Sequence, residues 1–201
     1  MSLEDDIQEI RSLLDAYYVH ASAFHVAGDD DRGVPLDMQV GEVDDEGWVQ
    51  WRITEPRVTL NDIASLEKRF GIEFPNYFRA YLLAACHLFD QIHSSKYEQL
   101  IFMTHVPSNK PLGPLESLLS SWQPLISASF IPFAEWGDGW GPMCFDAQQR
   151  SVDDCPIVWM DHELLIPLGP EACGDREAVM PHVQSLYSNT IEFIDDVFKV
   201  A

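Results

Sequence analysis

Basic residues are scarce in this chain: 12 lysines and arginines stand against 33 aspartates and glutamates in 201 residues. A protein that holds nucleic acid needs clustered cations to replace the counterions along the phosphates, so direct nucleic-acid binding is not expected. Cysteine is sparse as well. Cys86, Cys144, Cys155 and Cys173 form no Cys-x-x-Cys pair and lack the density of a disulfide-stapled secreted domain, which points to free thiols in a reducing compartment. Cys86 and Cys144 lie among apolar neighbours and read as small core residues rather than nucleophiles. No apolar run approaches the roughly 20 residues that cross a bilayer, the longest lying at residues 81–86. The opening MSLEDDIQEI is acidic, the wrong charge for the basic start of an export signal or for an arginine-rich transit peptide. A soluble cytoplasmic protein is the expectation. No Ser/Gly tract or proline run marks a linker and no repeat recurs, so residues 1–201 are read as one domain with one sizeable core.

The formal charge of -21 is unevenly placed. Residues 1–60 carry 14 acids and 4 bases, residues 61–111 carry 5 of each, and residues 112–201 carry 14 acids and 3 bases. Such a field attracts a basic partner, although ordinary acidic solubility accounts for it equally well.

Apolar spacing supplies the elements. Ile7, Ile10, Leu13, Leu14, Tyr17, Ala21 and Phe24 recur at intervals of three and four, which predicts a helix over residues 3–24 with Glu4, Asp5 and Asp6 at the positive end of its dipole. Residues 29–33 and Pro35 then break it. Val49, Trp51 and Ile53 alternate with Trp48, Gln50 and Arg52, as a half-buried strand requires, and residues 38–43 are its expected hairpin partner across the acidic turn at residues 44–47. Thr59 and Asp62 have the spacing of a capping box. The helix it starts buries Ile63, Leu66 and Phe70 and ends at Gly71, where a left-handed cap costs least. Pro75 suits the first turn of a second helix facing Tyr77, Phe78, Tyr81, Leu82 and Ala85 inward. Further along, residues 97–106, 130–133 and 156–160 read as strands, and residues 183–198 return to helical spacing.

Candidate chemistry is thin. Gly137, Asp138, Gly139, Trp140 and Gly141 lack the Gly-x-Gly-x-x-Gly spacing and the lysine of a phosphate loop, and glycine at this density more plainly permits a tight turn between strands. Asp161, His162 and Glu163 place two carboxylates beside an imidazole, the best local set for acid–base work or a cation. Neighbours in a strand point to opposite faces, however, and no His-Glu-x-x-His accompanies them. Cys155 with His162 is a looser thiol pair still. Neither a catalytic set nor a cofactor or metal site is expected; a small hydrolase built on His162 with Asp161 or Cys155 is the minor alternative.

The ordered series Trp51, Pro56, Thr59 to Glu67, Gly71, Phe74-Pro75, Tyr77, Leu82, Ile131-Pro132-Phe133-Ala134, Gly137-Asp138-Gly139, Cys144-Phe145-Asp146 and Pro156-Ile157-Val158, closed by a helix ending at Phe198, resembles the SUKH superfamily. This group is typified by Smi/Knr-type fungal regulators of cell-wall synthesis and by many bacterial immunity proteins. The resemblance spans residues 48–198, with residues 1–47 as a helical and acidic lead-in. It implies an α+β fold, a largely antiparallel sheet packed against helices, and a non-enzymatic protein-binding role. Bacterial members of the family neutralise toxins passed between competing cells, so the implied partner is a basic toxin domain such as a nuclease, bound without nucleic acid or membrane; the regulatory scaffold of the fungal branch is the alternative. Residues Glu135, Trp136, Asp138, Trp140, Asp161 and Glu163 are the expected contacts, with Asp29, Asp30 and Asp31 as a second acidic surface. Ile131, Phe133 and Phe145 are expected to pack inward.

Overall fold

A computed structural model describes residues 2–21, 23–28, 33–137 and 139–200. Asp29, Asp30, Asp31 and Asp138 lie outside the described residues. In chain order the elements are α1 (Leu3–His20), β1 (Phe24–Val26), β2 (Gln39–Val40), β3 (Trp48–Trp51), α2 (Leu60–Phe70), α3 (Asn76–Ala84), β4 (Gln91–Ser94), β5 (Gln99–Met103), α4 (Gly113–Ser121), α5 (Gln123–Ser127), β6 (Phe130–Trp136), β7 (Gly141–Asp146), β8 (Ile157–Met160), α6 (His162–Leu165), α7 (Gly169–Cys173), α8 (Arg176–Val179), β9 (Val183–Tyr187) and α9 (Thr190–Phe198). The architecture is α+β, as the resemblance implies. A small sheet of order β1-β3-β2 stands beside a six-stranded sheet of order β4-β5-β6-β7-β8-β9, and every pairing is antiparallel. Among the described residues no helix is long and apolar enough to cross a membrane.

The first helix is capped by Ser2 and Asp5 in a reciprocal box and buries Ile10 and Leu14 in the same apolar cluster as α3 and the large sheet. It is shorter than the periodicity predicts. Ala21 turns extended after donating its N–H to the Tyr17 carbonyl, and Phe24 opens β1, 54% exposed, instead of closing a helical stripe. A two-stranded ribbon is marginal in water, and β1 supplies the third strand that β2 and β3 lack. The β2–β3 hairpin itself follows expectation. Val49 and Trp51 are buried while Trp48 and Gln50 face out, and Gly47 takes the positive φ of +85° that the turn demands.

The α2 box also forms as read: Thr59 accepts from the Asp62 amide at 3.2 Å and Asp62 accepts from the Thr59 amide at 2.9 Å. Gly71 ends the helix at φ +67°, and the Ile72 N–H folds back to the Glu67 carbonyl at 3.0 Å. Pro75 sits one position earlier than expected, at the N-cap of α3. Phe78 of α3 meets Phe74, Tyr81, Phe133 and Phe145 at ring-centroid distances of 5.0–5.7 Å, joining the helices to the sheet.

Two differences mark the second half. Short helices α4 to α8 occupy its connections; α5 to α8 have only 4 or 5 residues, too few to repeat a helical period. Residues 183–198 are two elements rather than one helix. Val183–Tyr187 pairs with β8, and a new helix starts at Asn189, whose side chain accepts from the Glu192 amide at 2.8 Å. Both faces of the sheet are covered in consequence: Ile131, Phe133, Phe145 and Ile157 pack into the main core, while Phe130, Cys144, Val158 and Met160 meet Leu165, Cys173 and Val179 of α6 to α8 on the other side.

The large sheet curls until its two ends share a polar clasp. Ser94 Oγ donates to Asp196 at 2.6 Å, Tyr187 OH donates to the same carboxylate at 2.8 Å, and the Lys96 ammonium reaches both the Leu186 carbonyl at 3.0 Å and Glu192 at 2.8 Å. Hydrogen bonds from the Lys96 side chain, then from the Ser188 hydroxyl and amide, hold the Glu192 pKa at about 2, below its ordinary 4.5. A depressed carboxylate contributes its full stabilisation above 4.5 and loses it as the pH falls toward 2. Urea midpoints of the wild type and Glu192→Gln are therefore expected to differ most above pH 4.5 and to converge near pH 2; a gap that persists in acid overturns this assignment.

Candidate partner-binding surface

The expected contact residues cluster around the end of β6, the turn into β7 and the start of α6. Gly137 and Gly139 take φ of +61° and +74°, and the Trp140 N–H donates to the Trp136 carbonyl at 3.0 Å, which closes the turn. The Trp140 ring lies over Gly137, where an added Cβ would come within 2.8 Å of it. That ring is 51% exposed. Across from the turn, β8 ends at Met160 and Asp161 caps α6, its carboxylate accepting from the Glu163 amide at 2.8 Å. The two segments are tied together. The Trp140 carbonyl accepts from the His162 N–H at 2.8 Å and lies 2.9 Å from His162 Nδ1.

Trp140, Asp161 and Glu163 thus share one rim, with Glu135 on β6 opposite Phe102 and Pro142. Trp136 does not join them. It is 6% exposed, stacked at 6.0 Å on Trp159 and edge-on to Tyr97 at 5.3 Å, so it supports the strand from below. The alternation of β6 explains this, since Glu135 and Trp136 are neighbours and point to opposite faces. Two residues of this rim have no counterpart among the expected contacts: Leu164 and Ile166 of the run after Glu163 are 46% and 69% exposed, whereas Leu165 between them is buried. Only the i, i+3 register of so short a helix separates them, and an apolar run alone does not show it.

The electrostatics are one-sided. Each of the three bases in residues 112–201 already faces an acid: Arg150 reaches Glu73 at 3.4 Å, Arg176 reaches Asp146 at 2.7 Å and Lys199 reaches Asp195 at 3.7 Å. Glu135 and Glu163 have no ion pair among the described residues. Glu163 is exposed and Glu135 half-buried.

The geometry lends little to bond-making chemistry. His162 Nδ1 is committed to the Trp140 carbonyl, with Asp161 at 3.8 Å also serving as a helix cap. All four cysteines are free and buried, and burial pushes the Cys86, Cys144, Cys155 and Cys173 thiols up, away from the reactive thiolate. Among the described residues no group of three or more His, Cys, Asp or Glu converges as metal ligands.

Fold and surface together describe an α+β domain with a curled antiparallel sheet and an acidic rim around exposed apolar side chains. The family model described as SMI1 / KNR4 family (SUKH-1) matches residues 57–171, more than half of the chain, and the protein belongs to this family. The match takes in α2, α3, β4 to β8 and α4 to α6, and leaves outside it α1 and the small sheet at one end and α8, β9 and α9 at the other. No curated protein matches the chain at a significant level.

Proposed function

We propose that this chain is an immunity protein that binds a cognate basic toxin domain one-to-one and occludes its active groove. Family membership supplies the frame, and the observation that carries the reading is the acidic second half whose three bases are all consumed by internal ion pairs. A nuclease fits best, because the groove that holds its phosphates is basic. Opposed fields speed encounter, and rim charges act more on the association rate than on the lifetime of the complex.

The reading requires a secreted toxin domain encoded beside this gene and is tested by expressing that domain with and without the protein; absence of such a neighbour also sinks it. Growth is rescued only in its presence if the proposal holds. The double reversal Glu135→Lys and Glu163→Lys is expected to slow association about tenfold at low salt and to flatten its salt dependence, measured by stopped flow. Absence of protection by the wild type sinks the reading, and recovery of wall-synthesis proteins as stoichiometric partners transfers the chain to the regulatory branch of the family.

A further inference from the structure

A second surface lies on the small sheet, at β1 and the start of β3. Phe24, Val26 and Trp48 are 54%, 46% and 41% exposed, a concentration of large apolar side chains in two short strands. Register explains it: Val26 stands directly opposite Trp48, and Phe24 lies two residues along on the same face. They border a groove of about 510 Å³ that wraps the β1 edge of the small sheet, and its floor, on the buried face of β3, includes Trp51 with Tyr17 and Phe89. That floor is fixed. Phe89 meets Trp51 at 5.0 Å and Tyr17 at 5.1 Å, both edge-on, and Trp51 and Phe89 are 2% and 4% exposed.

The polar surroundings are mainly acidic, although His25 lines the groove and Lys110 stands on the far side of the His25 and Asp90 pair. Asp90 lines the groove, its carboxylate 3.3 Å from His25 Nε2, so that the pair ties β1 to the segment entering β4. Beside Trp48, the exposed turn of Asp44, Asp45 and Glu46 is held rigid by the Asp44 carboxylate, which accepts from the Glu46 and Trp48 amides at 3.0 and 2.8 Å. No lysine or arginine occurs between Arg32 and Arg52, which bound this stretch, and Arg52 reaches the Asp37 carbonyl at 3.3 Å. We infer that this groove is a docking site for a protein segment presenting a bulky apolar side chain flanked by lysine or arginine. The apolar side chain fills the groove above Phe89, and the cations meet Asp90, the Asp44–Glu46 turn and the faces of Trp48 and Phe24. Its walls lie outside residues 57–171 and its floor residue Phe89 within them, so the lead-in adds a recognition element to the family core.

The inference rests on the protein-binding reading above and refines it. It is tested with the peptide Lys-Lys-Leu-Phe-Leu-Lys-Lys, followed through the indole N–H signals of Trp48 and Trp140. Two controls replace the three apolar residues by serine or the lysines by glutamate. The parent peptide is expected to shift the Trp48 indole saturably, with both controls and the Trp48→Ala variant binding at least about tenfold more weakly. Val152→Ala, at a residue 93% exposed elsewhere, serves as the unaffected control. No binding of the parent, response at Trp140 alone, equal binding of either control, or self-association of the protein through the groove overturns the inference. In the growth assay, full protection by Trp48→Ala removes the groove and leaves the toxin-binding reading standing. Failure of the wild type to protect removes that reading, and the peptide titration then decides the groove by itself.

Discussion

Replacing Arg176 by alanine is expected to lower the unfolding free energy by about 3–5 kcal/mol, because it strands a buried carboxylate. The side chain of Asp146, at the end of β7, is 3% exposed, and Arg176 of α8 covers it at 2.7 Å. The same guanidinium donates to the Ala128 carbonyl at 3.2 Å and lies 4.4 Å over the Phe130 ring. With the arginine gone, the Asp146 carboxylate keeps, among the described residues, only the Gln148 amide at 3.2 Å. Lysine is expected to recover part of the loss, since it supplies the charge without the planar fork. The double change Asp146→Leu and Arg176→Met is expected to recover more than lysine does, because no charge is then left buried alone. Denaturant titrations of the four proteins check this; an Arg176→Ala midpoint equal to that of the wild type refutes it.

Gly141→Ala is expected to be of similar size, for a steric reason. Gly141 opens β7 at φ +146°, and a Cβ there would stand 2.0 Å from the Met160 carbonyl oxygen and 2.8 Å from the His162 nitrogen. These atoms are backbone, so neither neighbour can swing aside. Strain at a glycine-only conformation and overpacking cost about 1–3 kcal/mol each, and together they set an expected loss of about 3 kcal/mol or more. Gly139→Ala is the comparison: its φ is +74° but nothing lies within 4 Å of an added Cβ, which leaves an expected loss of about 1–2 kcal/mol. Thermal melts followed by tryptophan fluorescence separate the two. Equal losses would show that backbone conformation alone, and not the approach of β8, demands glycine at 141.

The elements legible in the sequence are those whose determinants lie within a few residues. The Thr59 and Asp62 box, the Gly71 cap and the alternation from Trp48 to Trp51 are local, and each occurs as the spacing requires. Where a distant partner decides, local spacing misleads. Phe24 fits a helical stripe but pairs opposite Gln50, and Leu186 and Tyr187 fit a helix but complete the edge beside β8. At the candidate surface, the turn and its exposed Trp140 are readable from glycine density. The burial of Trp136 is not, because it depends on Tyr97 and Trp159 arriving from elsewhere in the sheet. The acid-rich halves were visible by counting, whereas the internal pairing of Arg150, Arg176 and Lys199 required the fold.

The clasp between the ends of the large sheet also dictates when the molecule can finish folding. Ser94 and Asp196 are 102 residues apart, and Lys96 and Glu192 are 96 apart. During synthesis the β4–β5 hairpin therefore waits, with its polar closing groups unmatched, while roughly another hundred residues emerge at about 5–20 per second. Closure of the sheet therefore needs Glu192 and Asp196 in place, whichever helices have formed before them.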